Sequence, residues 1–323
     1  MWRFLARTLW QRLLLLVFIS IVSHTIVHLA PGEPTEVDPM NPMMKAEDIA
    51  RIRQAFHLDD PLYLQYIDWL RDLFTGNLKS FQNGLPVLPQ IWQRFLNSLP
   101  LFGCTTLLVW TLSFPAGIRA AVRRGSYYDR TTTFLAYTLI SIPGFFLSYL
   151  LILGVVRGLG LPVLGLRTFG SDQLPPLTRF MDSIWHLTIP ALMSALAGAT
   201  GAAVLSRYVR AQMLDIVDQD YVRTARAKGL HEDKVIYEHA LRNALLPFVT
   251  LFGFLLPGLI SSSVIFEKIF AWPGIGQLGY DAIIGRDFPM ILTLNFIAAA
   301  LTLFGILISD ILYALVDPRI RLQ

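Results

Sequence analysis

Two histidines in this sequence have a spacing that is compatible with metal binding. His24 and His28 stand four residues apart in an apolar stretch, so a helix would bring both imidazoles to one face, where they could bind one metal ion. No carboxylate or cysteine stands beside them, and two ligands alone make a poor site. We therefore predict no metal site, and expect both histidines to be satisfied polar residues near a membrane interface.

Catalytic patterns are missing from the rest of the chain. The stretch HEDKV lacks the second histidine of an H-E-x-x-H zinc motif, and no G-x-x-x-x-G-K-[ST] phosphate loop occurs. The chain is therefore expected to be non-catalytic, to bind no cofactor and not to bind ATP alone. Asp310 is ionisable within an apolar run and is a functional candidate for that reason. It lies about two helical turns before Asp317, near the end of the run, so a structural pairing with an arginine is the favoured interpretation.

The elements that position these residues follow from composition. Hydrophobic residues make up 54% of the chain and charged residues 15%, which indicates a membrane protein. The formal net charge is +4, but the basic residues are not gathered on a soluble face, so nucleic-acid binding is not expected. Cys104 is the single cysteine, which excludes an intrachain disulfide.

Six apolar windows approach the roughly 20 residues that a span needs, and they predict an all-α membrane protein with six transmembrane helices. The windows are 9–30, 99–122, 134–156, 187–206, 247–266 and 291–315. The basic start mimics a signal peptide, but the long apolar run without a small-residue cleavage site before Pro31 favours a retained span. Most of the 27 lysines and arginines fall on segments that would share one side with the N-terminus. Both termini are therefore predicted to be cytoplasmic.

The first outer connection, 31–98, is too long to lack structure and should be a folded insertion. Within DDPLYLQYIDWLRDLFTGN, Asp60 could cap a helix, Pro61 could occupy its first position and Gly76 could end it. We expect its apolar stripe to pack on the membrane domain rather than to dock a soluble partner. That stripe comprises Leu62, Tyr63, Tyr66, Ile67, Leu70, Leu73 and Phe74. The Gly- and Pro-rich stretch 157–180 is expected to be an irregular cap over a cavity.

The connection between the fourth and fifth spans is about 40 residues long, far beyond a turn, and we call residues 207–246 the candidate coupling segment. Asp218 or Asp220 could cap a short helix that Gly229 ends. Ala225 and Ala227 would leave a low surface for a partner, with charge pairs at its rim from Arg223, Arg226 and Lys228.

A second helix follows in HEDKVIYEHALRNALL. Glu232 and Asp233 fall in its first turn, and its apolar face comprises Ile236, Ala240, Leu241, Ala244 and Leu245. Two helices at an angle would make a rigid knob for a partner. The alternative is a solvated basic loop that only sets topology.

RTARAKGL followed by HALRNALLP resembles the cytoplasmic signature of permease subunits of binding-protein-dependent ABC importers, in the dipeptide, oligopeptide and nickel branch. Other matching stretches run almost end to end, and together they make the resemblance specific. They are VHLAPGEP, LPVLPQIWQRFLNSLP, SIPGFFLSYLLI, IFEKIFAWPGIGQL and DILYALVDPRIR.

The resemblance implies a type I importer fold in a bacterial inner membrane. This chain would pair with a second permease above two ATPase subunits that bind ATP and Mg²⁺, and an extracytoplasmic binding protein would deliver the cargo. The implied organisation is a first span (1–30), an outer insertion (31–98) and a five-helix core (99–323). Residues implied in ATPase coupling are Tyr221, Arg223, Thr224, Ala225, Arg226, Ala227, Lys228, Gly229, Leu230, His239, Asn243 and Pro247.

AWPGIG follows the fifth span, where an aromatic residue would anchor at the interface and Pro with Gly would turn the chain. The resemblance places this stretch near the mouth of the pathway. The pathway or gate candidates are Trp272, Pro273, Gly274, Gly276 and Asp310.

Some positions depart from the family pattern. Thr224 stands where many related permeases have glutamate, and Arg226 replaces a small residue. Ile306 replaces an asparagine of the last span, and Ser261, Ser262 and Ser263 partly replace glycines. The architecture implied by the resemblance is unaffected by these changes.

Short peptides are the first expectation for cargo, with nickel, other metal chelates and glycosides as alternatives within the branch. A different class of function, an independent channel or secondary transporter, would explain six spans but not the basic knob, and no inverted repeat of broken helices is evident.

Overall fold

The structure is a computed structural model that describes residues 2–29, 59–197, 201–253 and 264–316 and the single positions 54, 255 and 258; every statement below concerns these residues. Ser261 to Ser263, Asp317 and most of the insertion before Asp59 lie outside them. The described chain is helical, with one isolated β-bridge between Lys79 and Pro86.

The helices follow one another in a simple order. They are α1 (Trp2–Leu29), α2 (Leu62–Thr75), α3 (Val87–Val122), α4 (Tyr127–Ser141), α5 (Gly144–Leu159), α6 (Pro176–Ala197), α7 (Ala202–Val217), α8 (Asp220–Ala227), α9 (Glu232–Lys234), a π turn (Val235–Ala240), α10 (Leu241–Ala244), α11 (Leu246–Gly253), α12 (Val264–Ile269), α13 (Ile275–Ile284) and α14 (Phe288–Val316).

Within the described residues, three helical stretches are long and apolar enough to cross a membrane: Arg7–Leu29, Val87–Val122 and Phe288–Leu312. A fourth is possible if α4 and α5 form one span, although they meet at 94°. The predicted unbroken third span, 134–156, is therefore wrong. Pro143 lacks a backbone N–H, and Ile142 before it is extended (φ −96°, ψ 126°), as expected for a residue that precedes proline.

The chain divides into two compact units. The first contains the described parts of 1–96, 253–264 and 274–323. In it α1 packs along α14, and α2 folds back on α1, where the hydroxyls of Ser20 and Tyr66 lie 2.7 Å apart. Asp287 is buried at the start of α14 and accepts hydrogen bonds from Ser80 Oγ and from the backbone N–H of Phe81. The loop before α3 is thus fastened to α14.

The helix α2 lies where the sequence predicts it, with two differences. Pro61 is the N-cap and makes no side-chain cap bond, so the predicted cap at Asp60 is wrong, whereas Gly76 ends the helix at φ +76° as expected. The buried face is centred on Trp69 and Leu73, with Tyr66 and Leu70 beside them. The other members of the predicted stripe, Leu62, Tyr63, Ile67 and Phe74, are exposed.

The second unit contains the described parts of 97–252 and 265–273. Its main core joins α3, α7, α8 and the π turn. Between α5 and α6 the chain is irregular, as expected, except for a single 3₁₀ turn at Ser171–Gln173. Asp182 fixes this stretch by accepting from the backbone N–H and the hydroxyl of Thr168 at 2.8 and 2.6 Å.

Candidate functional site

The candidate coupling segment begins within α7, and a link of only two residues joins the end of α7 to the start of α8. Gln219 is the N-cap of α8 and makes no side-chain cap bond. The predicted caps at Asp218 and Asp220 are therefore wrong. Asp220 instead lies in the first turn, where its negative charge suits the positive end of the helix dipole.

The inner face of α8 is small and fully packed. Val222 is 0% exposed and Ala225 is 6% exposed, and both lie in the core that contains Val209, Met213 and Val235. Ala225 is therefore not part of a surface for a partner, as the sequence suggested, whereas Ala227 is exposed. Because these apolar contacts join α8 to α7 and the π turn, the three elements form one packed body.

The end of α8 depends on a left-handed residue. Gly229 has φ +78°, and its N–H donates to the carbonyl of Arg226 at 2.9 Å. No heavy atom would lie within 4 Å of a side-chain carbon added there. A side chain at this position is therefore opposed by backbone conformation rather than by space.

Arg226 turns back onto its own segment. Its Nη2 donates to Glu232 Oε1 at 2.9 Å, its Nε to Glu232 Oε2 at 3.1 Å, and its Nη1 to the carbonyl of Val217 at 3.3 Å. Hydrogen bonds from this guanidinium hold the pKa of Glu232 below its usual range. The expectation that Arg226 offers a charge at the rim to a partner is therefore wrong, because the side chain connects the end of α7 to the start of α9.

The second half of the segment is helical, with one irregularity. Glu232 and Asp233 occupy the first turn as predicted, and His231 caps α9 by accepting from the N–H of Asp233 at 3.4 Å. Ile236, Ala240 and Ala244 are buried, and Leu241 and Leu245 pack beside them. Neither the π turn nor the full burial of Val235 was expected from the sequence pattern.

The outer face of the segment is exposed and basic. Tyr221, Arg223, Thr224 and Lys228 are exposed, and Asn243 Nδ2 donates to the hydroxyl of Tyr221 at 2.9 Å. The other predicted coupling residues, Leu230, His239 and Pro247, are half-buried. The structure therefore brings a subset of the predicted residues to one surface and leaves the others as supports.

Trp272 is buried rather than anchored at an interface, which corrects the expectation for AWPGIG. It is 3% exposed and packs with Leu101 and Ala191. Its indole N–H donates to the carbonyl of Asn97 at 2.9 Å, and Asn97 Nδ2 donates to the carbonyl of Pro273 at 2.9 Å.

Two glycine candidates belong to α13. Gly274 is its N-cap. Gly276 lies so close to the backbone of Val264 that an added side-chain carbon would be 2.9 Å from its Cα. The requirement for glycine at position 276 is therefore explained by a close approach of two chain segments.

Asp310 has the arginine partner that the structural interpretation expects. Arg12 Nη2 lies 2.6 Å from Asp310 Oδ2, and Arg12 Nη1 also donates to the carbonyl of Leu303. The pair connects α1 with α14.

The rings of His24 and His28 lie side by side, with centroids 4.0 Å apart and planes tilted by 31°. His24 is buried, with the ring of Tyr66 edge-on to it. In the described part of the chain, no group of three or more His, Cys, Asp or Glu side chains is close enough to hold a metal ion.

Asp129 and Arg210 are a feature that the sequence analysis missed. Arg210 Nε donates to Asp129 Oδ1 at 2.7 Å, although 81 residues separate them. The available signal was local: Ser126 and Asp129 have the spacing of a helix capping box. That spacing marks the start of α4 but does not identify the distant arginine.

Two family models match the chain. "Binding-protein-dependent transport system inner membrane component" matches residues 113–322, and the corresponding N-terminal family matches residues 1–102.

Individual relatives match over nearly their whole length. The chain is 39% identical over 310 residues to the oligopeptide transport system permease protein AppB of Bacillus subtilis, with 95% of each chain covered. It is 35% identical over 343 residues to the di/tripeptide transport system permease protein DppB of Pseudomonas aeruginosa, with 99% of each covered. It is 36% identical over 316 residues to the glutathione transport system permease protein GsiC of Escherichia coli K12, which covers 95% of this chain and 94% of that protein.

Proposed function

The chain belongs to the family of inner membrane components of binding-protein-dependent transport systems, and on this premise we propose that it is the permease subunit of an ATP-driven importer of short peptides. The names of its relatives support peptides as cargo, since they refer to oligopeptides, to di- and tripeptides and to glutathione. Nickel or another small solute of the same branch is the alternative cargo.

One observation carries the coupling part of the proposal: α8 is packed into α7 and the π turn by Val222 and Ala225, while Arg223 and Lys228 remain exposed. A partner that binds the exposed basic face would move α7 with α8, because their shared core cannot deform gradually. We propose that an ATPase subunit binds this face.

In the proposed assembly, ATP and Mg²⁺ are bound by two ATPase subunits, and this chain neither catalyses a reaction nor holds a cofactor. A second permease completes the pathway, and an extracytoplasmic binding protein supplies cargo. Six spans in the bilayer, with both termini cytoplasmic, would put the candidate coupling segment on the ATPase side. The insertion 31–98 would face the binding protein.

Trp272, Pro273, Gly274 and Gly276 are proposed to border the pathway. The mutual hydrogen bonds of Asn97 with Trp272 and Pro273 support a defined position for the first two. For Asp310, the pair with Arg12 favours a structural role over a direct contact with cargo.

The test is uptake into proteoliposomes that contain this chain with its second permease, ATPases and binding protein. Labelled di- and oligopeptides and nickel are offered with and without ATP. We expect uptake of peptide that requires ATP and every subunit. Uptake by this chain alone without ATP would establish a channel or secondary transporter instead, and ATP-dependent uptake of nickel alone would overturn the peptide assignment.

A charge-reversal pair tests the docking face in the same system. Arg223→Glu with Lys228→Glu should weaken binding of the ATPase and lower uptake. Arg124→Glu, at an exposed position of the turn between α3 and α4, is the control for a change of charge. Equal loss in both variants would remove the special role of the α8 face.

A further inference from the structure

The carboxylate of Asp129 accepts hydrogen bonds from two parts of the chain, the guanidinium of Arg210 and the turn after α3. Arg210 approaches it side-on, with Nε 2.7 Å from Oδ1 and Nη2 2.9 Å from Oδ2. The backbone N–H of Gly125 donates to Oδ2 at 2.9 Å. Asp129 is 5% exposed, whereas the side chain of Arg210 is 27% exposed, so the carboxylate is the shielded member of the pair. Two parallel bonds between a guanidinium and a carboxylate fix orientation as well as distance.

Asp129 is itself held at the start of α4. Its N–H donates to the N-cap hydroxyl of Ser126 at 3.3 Å, and its side chain returns to Gly125, which has φ +77° in the turn after α3. The carboxylate therefore belongs rigidly to both α4 and the turn that precedes it.

Arg210 belongs equally firmly to the body that carries α8. It lies on α7 between Val209 and Met213, which are 1% and 0% exposed and pack in the same core as Val222 and Ala225. Only Asp218 and Gln219 separate α7 from α8. A displacement of α8 therefore reaches Arg210 through packed side chains.

Other contacts bring α3 and α4 close to α7. A side-chain carbon added to Gly117 on α3 would lie 2.5 Å from the carbonyl oxygen of Ser206. The guanidinium of Arg207 stands 3.8 Å from the ring centre of Tyr137 on α4. On α3, Ile118 and Ala121 share the core of α7 and α8. For α4, the bidentate pair fixes orientation as well as distance.

We propose that Arg210 is a positioning residue that transmits movement of α8 and α7 to α4 through its bidentate pair with Asp129. The proposal rests on the proposed function, because the movement originates from the ATPase. Its chemistry predicts that lysine cannot replace Arg210: an ammonium keeps the charge but loses the planar fork. Asp129→Asn similarly keeps size and loses the charge.

The primary experiment measures distance in the reconstituted importer, with Cys104 replaced by serine. Spin labels are placed at Tyr127 on α4 and Ala211 on α7, both exposed. In the otherwise unchanged protein, the distance between labels should be the same without nucleotide and with bound ATP. In Arg210→Lys and Asp129→Asn it should differ between the two states. If the distance between the labels in the otherwise unchanged protein differs between the nucleotide-free and ATP-bound states, the proposal is overturned, whatever the variants show.

The second readout is the number of ATP molecules hydrolysed per peptide imported. We expect each variant to retain ATP hydrolysis while the ratio rises about five- to tenfold, as for the loss of a coupling interaction. The exchange Asp129→Arg with Arg210→Asp should recover part of the loss. Arg130→Lys, an exposed position on the same turn as Asp129, is the matched control.

An unchanged ratio in Arg210→Lys and Asp129→Asn would overturn the role of the pair while leaving the importer assignment intact. Failure of the proposed function would look different, because the wild-type assembly would then show no ATP-dependent peptide uptake.

Discussion

Asn243 on α10 and Tyr221 on α8 are joined within the candidate coupling segment: the amide Nδ2 of Asn243 donates to the tyrosine hydroxyl at 2.9 Å. Both side chains are exposed, so water can replace the bond at little cost. The bond matters because it holds α8 in position against α10, the helix that carries Asn243.

Removing this bond should affect transport more than stability. We expect Tyr221→Phe and Asn243→Ala each to lower the free energy of unfolding by about 0.5–1 kcal/mol, while uptake falls further because α8 is less well positioned. A double-mutant cycle on both quantities is the measurement. Additive effects on uptake would show that the two residues act independently.

Gly229 should tolerate asparagine better than valine. The left-handed conformation at φ +78° costs about 1–2 kcal/mol for most L-residues and less for asparagine, which forms local hydrogen bonds. Because a side chain meets no neighbour there, Gly229→Asn should retain most of the stability and uptake that Gly229→Val loses. Denaturation in detergent and peptide uptake measure the two effects, and equal losses would contradict a purely conformational cause.

The Arg226–Glu232 pair should stabilise the segment only above the acid range. Because the folded-state pKa of Glu232 lies below its ordinary value of 4.5, the stabilisation is complete above pH 4.5 and is lost as pH falls through the lower, folded-state pKa. The side chains are 35% and 50% exposed, so the contribution at neutral pH is below about 1 kcal/mol.

The difference in the free energy of unfolding between wild type and Glu232→Gln measures this contribution. We expect the difference to shrink below pH 4.5. Glu238→Gln is the control, because Glu238 lies 3.8 Å from an exposed Lys234 in a looser pair. A difference that grows as pH falls would have the wrong sign for the lowered pKa.

Gly117 should be intolerant of even one added carbon. Alanine there would meet the carbonyl oxygen of Ser206 and the side chain of Val209, and relieving such overlap costs about 1–3 kcal/mol. Gly103→Ala on the same helix meets nothing within 4 Å and should be neutral or gain up to about 1 kcal/mol from helix propensity. Thermal unfolding of both variants checks this; equal stability would contradict the close approach of α3 and α7.

Local signals in the sequence predicted the C-terminal ends of two helices, whereas the predicted N-caps at Asp60, Asp218 and Asp220 are wrong. Gly76 and Gly229 follow amphipathic stretches, and both adopt the expected positive φ because glycine alone does so without strain. Glu232 and Asp233 likewise mark a real first turn. The break between α4 and α5 could also have been read from Pro143 and Gly144, but the continuous apolar run outweighed it.

Features that depend on distant residues could not be predicted. Periodicity showed that α2 has an apolar face, but only the packing of α13 and α14 decides that Trp69 is buried and Phe74 exposed. In the same way, nothing in the sequence distinguishes the partners of Arg210, Arg223 and Arg226. In the structure, Arg210 pairs with Asp129 and Arg226 pairs with Glu232, whereas Arg223 is exposed and lies 3.7 Å from an exposed Asp220.

The π turn at Val235–Ala240 lets the helix hold one extra residue without changing the direction of the faces on either side of it. The N–H of Leu241 donates to the carbonyl of Ile236, five residues earlier, so the turn holds one residue more than an α-helix would. Deleting that residue would restore regular α-helical winding and leave the residues that follow on the same faces, because the wide turn and an α-helical turn each complete about one rotation. The face of α11 that buries Phe248 would then keep its direction, so the loss of one residue within this turn would leave the apolar core in place.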